Sequence, residues 1–151
     1  MKHLITYPNL PQRMLKARDG LMAHFRPILN HFGLTEQQWR ILRSLDEFGQ
    51  LEPREICEAC QISSPSMAGI LTRMENAGLI ARDGISGDQR RVIVHLSPKG
   101  MKLLGKIGPL IDQQYAYIEQ ACGKQIFVDL FAVLDKFIDL KDRPIKQVDL
   151  P

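Results

Sequence analysis

The chain has 151 residues, 44% of them apolar and 25% charged, with a net charge of +3. That is enough to bury one real core, and the mild positive charge allows a nucleic-acid partner without demanding one. No apolar run is long enough to span a bilayer and no basic-then-apolar leader follows Met1, so the expected location is cytoplasmic, with no membrane partner.

In chain order, Leu10, Met14, Ala17, Leu21, Phe25, Ile28 and Phe32 recur at steps of three and four, predicting a first helix kinked at Pro27. Thr35 with Gln38 forms a capping-box pattern and opens a second helix, whose stripe is Ile41, Leu42, Leu45 and Phe48, with Trp39 at its edge. Gly49 ends it. "EPREICEACQIS" reads as a short third helix with Pro53 in its first turn. Ser63 or Ser64 caps a fourth helix, packed through Met67, Ile70, Leu71 and Met74 and closed by Gly78. "LIARDG" and "RRVIVHLS" follow as two strands joined by a Gly-containing turn. A long helix starts at Ser97-Pro98 and is weakened by Gly105, Gly108 and Pro109. The last helix runs from about Lys124 to Leu140.

Four helices, a hairpin and two more helices make a mainly α fold with a small β-hairpin wing: a winged helix-turn-helix plus an α-helical dimerisation layer. Residues 34–97 are expected to form the DNA-binding domain. Residues 1–33 and 98–151 are expected to form the helical dimerisation region, because their wide apolar faces need a second copy to cover them.

Ser64, Ser66, Gly69, Thr72 and Arg73 are the outward positions of the fourth helix. Small residues let such a helix sit deep in a major groove, hydroxyls contact phosphate or base, and Arg73 supplies charge. A surface helix of a bundle would carry the same pattern. In "GISGDQRRVIVHLSPKG", a flexible tip carries Arg90 and Arg91, suited to a minor groove, and Asp88 is expected to pair with an arginine and hold its fork. A solvated hairpin is the alternative.

Arg18, His24 and His31 sit among apolar residues, and Trp39 and Arg40 follow on the next helix. A guanidinium beside an aromatic ring suits a small aromatic carboxylate effector, with Arg18, His24, Trp39 and Arg40 as candidates. Inter-helix salt bridges would equally explain the arginines. Cys57 and Cys60 form one C-x-x-C without a second, and with Cys122 they read as packing residues. No metal site, cofactor or catalytic constellation is expected.

"LTEQQWRILRSL", "SPSMAGILTRMENAGLIAR" and "GDQRRVIVHLSPKG" together resemble the MarR family of winged-helix regulators. The wing signature of that family is matched by Asp88, Arg90, Leu96 and Ser97, and the resemblance covers about residues 10–140. "ARDGLMAHFRPIL", "LTEQQWRI" and "GILTRME" are similar to the branch that controls homoprotocatechuate (4-hydroxyphenylacetate) degradation. The resemblance implies a homodimeric repressor on a pseudo-palindromic double-stranded operator, released by an aromatic acid. Carried over by motif, Ser64, Ser66, Thr72 and Arg73 become recognition contacts, Arg90 the wing-tip residue and Asp88 its orienting partner. A redox- or metal-responsive regulator on the same scaffold is the alternative. No cysteine precedes Cys57, which counts against a peroxide sensor of the family's kind. Gln61 stands where the turn before the recognition helix often has Gly.

Overall fold

The computed structural model describes residues 3–151, with Gln89 described by its backbone alone. The chain divides into two compact units, Met1–Ile111 and Asp112–Pro151.

In the first unit, α1 (Leu10–Met22) and α2 (Arg26–His31) replace the single kinked helix that periodicity predicts. The interruption lies before Pro27, at residues 23–25. There the amides of His24 and Phe25 reach back only three residues, to Leu21 and Met22. Pro27 has no N–H for the carbonyl of Ala23, so the helix restarts with Pro27 in its own first turn, where no partner is needed. Leu29 and Phe25 turn inward.

Next comes α3 (Glu36–Phe48). Thr35 Oγ1 accepts the Gln38 amide and Gln38 Oε1 accepts the Thr35 amide, both at 3.1 Å. Trp39, Ile41, Leu42 and Leu45 are buried. Phe48, expected in that stripe, is exposed, because it lies at the helix end where the chain turns out at Gly49. The pair Gln50–Leu51 forms β1, a strand that the sequence reading did not anticipate. Then α4 (Pro53–Cys60) and α5 (Ser64–Asn76) complete a helix-turn-helix.

The hairpin β2 (Ile80–Ile85) and β3 (Asp88–Leu96) joins β1 in an antiparallel sheet of order β1-β3-β2. Gln50 pairs with His95, and Ile80 with Leu96. The core under this sheet is Ile56, Met67, Ile70, Leu71, Met74, Leu79, Ile80 and Val94.

The long helix α6 (Pro98–Cys122) stays helical for 25 residues with Pro109 inside it. Its first turn is docked on the end of α5. The Ser97 amide donates to Leu79 O at 3.0 Å, Ser97 Oγ donates to Gly78 O at 2.5 Å, and the Gly100 amide donates to Ser97 Oγ at 3.0 Å. Lys99 Nζ donates to Ala77 O at 2.8 Å. Gly100 is buried, and a Cβ there would lie 2.1 Å from Leu79 O. No side chain fits that gap. Gly78, at φ +76, closes α5 with the Leu79 amide returning to Met74 O at 3.0 Å.

In the second unit, the end of α6 meets α7 (Lys124–Asp139) through an edge-to-face contact of Tyr115 and Phe127, 6.3 Å between centroids. A 3-10 turn, Leu140–Asp142, follows. No residue described from Asp112 onward is buried. Ile126, Val128, Phe131 and Ile138 stand in the open on α7, Phe131 at 61% exposure.

The Gly100 contact predicts that Gly100→Ala destabilises the protein by about 1–3 kcal/mol or more in urea unfolding, because backbone must move. Gly105, in the same helix with nothing within 4 Å of an added Cβ, is the control: Gly105→Ala should stabilise by about 0.5–1 kcal/mol. Equal effects would mean that α6 does not seat on Leu79 as described.

Candidate nucleic-acid interface

The turn into α5 is held from beneath. Arg40 on α3 donates through a terminal guanidinium nitrogen to Cys60 O at 2.5 Å, and Ser44 Oγ lies 3.2 Å from Cys60 Sγ. Gln61 then takes the left-handed conformation at φ 53, ψ 49. Its side-chain amide donates to Glu58 O at 2.7 Å. A non-glycine residue therefore makes this turn with a local hydrogen bond in support.

Burial of Met67, Ile70, Leu71 and Met74 fixes the rotation of α5. That rotation leaves Ser64, Ser66, Gly69, Thr72 and Arg73 exposed, the set that the sequence assigns to the groove-facing side. Ser63 Oγ donates to Ser66 Oγ at 3.0 Å. Thr72 Oγ1 donates to Ala68 O at 3.0 Å, so its hydroxyl proton is already engaged. The Arg73 guanidinium folds back over Gly69, where an added Cβ would meet it at 3.3 Å. Gly69 thus leaves room for the one cation of this face.

In the wing, Gly87 turns the chain at φ +88, and a register shift falls between Gly84 and Ile85. Asp88 Oδ1 accepts the backbone N–H of Arg90 at 2.9 Å. The sequence reading gives Asp88 an arginine fork to hold; the carboxylate holds the main chain of Arg90 instead. Arg90 is exposed and makes no ion pair among the described residues. Arg91 is engaged: its Nε donates to Glu52 Oε1 at 2.8 Å, and a terminal nitrogen also bonds that oxygen.

Three further side chains shape the wing. Arg82 on β2 grips Glu75 on α5 by two bonds, Nε to Oε2 at 3.1 Å and a terminal nitrogen to Oε1 at 3.2 Å. This lowers the Glu75 pKa, chiefly through the Arg82 hydrogen bond, and raises that of Arg82. On the opposite face of β2, Asp83 Oδ2 lies 2.6 Å from His95 Nε2, while His95 Nδ1 lies 3.1 Å from Leu96 O. A carbonyl and a carboxylate both accept, so the ring satisfies both only as imidazolium. The His95 pKa is raised, first by the Asp83 bond and then by Leu96 O. Sequence reasoning missed these residues. Their signal was period-two placement on β2, which sends Arg82 and Asp83 to opposite faces.

The proposed effector residues are dispersed among other contacts. Arg18 on α1 pairs with Glu36 at the start of α3, and Arg26 joins the same carboxylate at 3.8 Å and Asp19 at 2.5 Å. Trp39 is buried on α3. His24 and His31 are exposed, His31 edge-on to Phe32. Arg40 supports the turn at Cys60, and its Nε is buried without a partner. Cys60 is buried, Cys57 half-buried and Cys122 exposed. Among the described residues, no group of three His, Cys, Asp or Glu side chains is placed to hold a metal ion, and no helix is long and apolar enough to cross a membrane.

Comparison with known proteins places this geometry. The MarR family model matches residues 34–92. The chain is 44% identical over 129 residues to the HTH-type transcriptional regulator FarR of Neisseria gonorrhoeae, covering 83% of this chain and 88% of that one. It is 35% identical over 145 residues to the homoprotocatechuate degradative operon repressor of Escherichia coli, covering 96% and 97%. The structure of NadR in complex with 4-hydroxyphenylacetate superposes with a TM-score of 0.80 at 39% identity, over 91% of this chain and 97% of that chain.

The His95–Asp83 pair predicts a pH dependence with a fixed sign. The folded-state pKa of His95 is raised above its ordinary 6.5. Its contribution to stability is therefore complete below the unfolded value and is lost as pH rises through the folded one. An NMR titration should place His95 above its ordinary 6.5, and Asp83→Asn should lower it. The stability gap between wild type and Asp83→Asn should be widest near ~pH 5–6 and close on the alkaline side. A gap that widens with rising pH would contradict the assignment.

Proposed function

The chain belongs to the MarR family, and from that membership we propose a homodimeric DNA-binding repressor of an aromatic-acid catabolic operon, acting in the cytoplasm. The observation that carries this reading is the pairing of one exposed helix face with one exposed hairpin tip. Ser64, Ser66 and Arg73 lie on α5, and Arg90 lies on the wing. The family's members are transcriptional regulators and not enzymes.

In a two-fold dimer, the two α5 helices would enter successive major grooves of a pseudo-palindromic operator about one helical turn (roughly 34–36 Å) apart. Ser64, Ser66 and Arg73 would contact base edges and phosphates, and Arg90 the adjoining minor groove. Thr72, Asp88 and Arg91 would belong to the interface through what they hold: Thr72 its own helix backbone, Asp88 the backbone of Arg90, Arg91 the start of α4. Residues 34–97 would be the DNA-binding domain, with residues 1–33 and 98–151 supplying the dimer contacts. The exposed Leu10, Met14 and Leu15 on α1, and the open apolar side chains of α7, support that division.

The effector proposed is a small aromatic carboxylate such as 4-hydroxyphenylacetate, the compound bound in the NadR structure at 39% identity. Arg18, His24, Trp39 and Arg40 are its proposed contacts. Arg18 is the most available of the two arginines, because its partner Glu36 can be exchanged for a ligand carboxylate. Arg40 already supports Cys60. A ligand releases DNA only by as much as it prefers the non-binding conformer.

Arg90→Ala should weaken operator binding and make the slope of log K against log salt shallower by about 2 per dimer, one lost phosphate contact per protomer. An unchanged slope would remove Arg90 from the backbone contacts. Separately, 4-hydroxyphenylacetate should release wild-type protein from the DNA upstream of its own gene in a gel shift, while Arg18→Ala stays bound. Normal release of Arg18→Ala would exclude Arg18 from the effector site. No release of wild type by this acid would overturn the effector assignment and leave DNA binding standing.

A further inference from the structure

Two carboxylates stand beside the surface proposed to meet DNA. Glu75 lies in the last turn of α5, and Glu52 directly precedes α4. A negative charge near phosphate costs binding unless it does something else there. Each is engaged by an arginine of the wing: Glu75 by Arg82 of β2, and Glu52 by Arg91 of β3.

The position of these pairs shows what they add. The other hydrogen bonds between the wing and the helices described above gather at the root of the hairpin, while Val94 is buried in the core and β3 pairs with β1. Those bonds are the Gly78 turn, Ser97 on Leu79 and Gly78, and Lys99 on Ala77. The Arg82–Glu75 pair lies two register positions beyond that root and the Arg91–Glu52 pair nearer the tip, one from each strand to each helix of the helix-turn-helix. The Arg82 pair is fork on fork, which fixes orientation as well as distance. Thr72 steadies it, with its oxygen 3.5 Å from the same guanidinium.

We propose that Glu75 and Glu52, through Arg82 and Arg91, are positioning residues for operator recognition: two struts that set the wing against the recognition helix, so that Arg90 and α5 meet their grooves at one spacing. The proposal rests on the DNA-binding reading above. It reassigns Arg91 from a DNA contact to a strut.

The test uses the opposite signs of the two explanations. Full-length protein is titrated onto a duplex from upstream of its own gene, and onto a scrambled duplex of equal length and composition. If the carboxylates only repel DNA, or if Arg82 and Arg91 touch phosphate, then Glu75→Gln and Glu52→Gln tighten binding. If they are struts, each weakens binding to the upstream duplex by about fivefold per protomer, the scale of an exposed ion pair. Binding to the scrambled duplex and the salt slope then stay as in wild type. The reversed pair Glu75→Arg with Arg82→Glu keeps the net charge and should restore affinity. Arg82→Lys keeps the charge without the fork and should bind the upstream duplex less tightly than wild type.

Tighter or unchanged binding by both Gln variants overturns the proposal, as does a reversed pair that fails to recover. Amide exchange gives a readout without DNA: Ile80–Leu96 should exchange faster in Glu75→Gln, with the buried turns of α5 unchanged. Equal exchange also overturns the strut. Wild type that does not distinguish the two duplexes overturns the DNA-binding reading instead, and amide exchange then decides the strut alone.

Discussion

The winged helix-turn-helix is organised around one backbone contact, Gly100 against the carbonyl of Leu79. That carbonyl also accepts the Ser97 amide, and Ser97 in turn caps α6 and bonds Gly78. The end of the recognition helix, the root of the wing and the start of the long helix therefore meet within a few residues. Any motion of α6 is passed to that junction, because a close-packed contact of this kind moves as a unit or not at all. The direction of that motion is set by where the effector binds.

The arginines divide by what they face. Arg40, Arg82 and Arg91 are each engaged by an acceptor of the protein itself: a helix-end carbonyl, a carboxylate of α5, and the carboxylate that precedes α4. Arg73 and Arg90 are exposed, without an ion pair among the described residues, on the two elements that would enter grooves. Phosphate contacts carry affinity and position the protein, and base contacts in the right register carry specificity. A frame that presents Arg73 and Arg90 on those two elements suits the second requirement, and it fits a chain whose net charge is only +3.

What could be read from the sequence was whatever depends on neighbours a few residues apart. The Thr35–Gln38 box, the Pro53 start of α4, the buried stripe of α5 and the Gly78 stop all follow from spacings of one to four residues, and the structure has them. The exposed face of α5 followed from that stripe by subtraction. What escaped depends on the fold. Strand β1 is two residues long, too short for an alternating pattern, and exists because β3 extends past the hairpin to meet it. Arg40 and Cys60 are twenty residues apart, and Arg91 and Glu52 thirty-nine. No periodicity signals such a pair. The helix breaks one turn before Pro27, and not at it, because proline leaves unpaired the carbonyl four residues before it.

The second unit gives the strongest reason for a two-fold partner. Residues Asp112–Pro151 bury no side chain of their own, yet α7 carries Ile126, Val128, Leu130, Phe131, Val133, Phe137 and Ile138 in the open. Two helices joined by a Gly cannot make a core that satisfies so many apolar groups, and a soluble monomer rarely leaves such a surface bare. A symmetric partner resolves this, and it has an energetic consequence for DNA binding. Each change in one protomer's fit to its half-site is counted twice in the dimer's binding free energy, so affinity ratios are squared. Exposed ion pairs are weak individually. In a symmetric regulator they need only be weak, because the operator reads two copies of the same geometry at once.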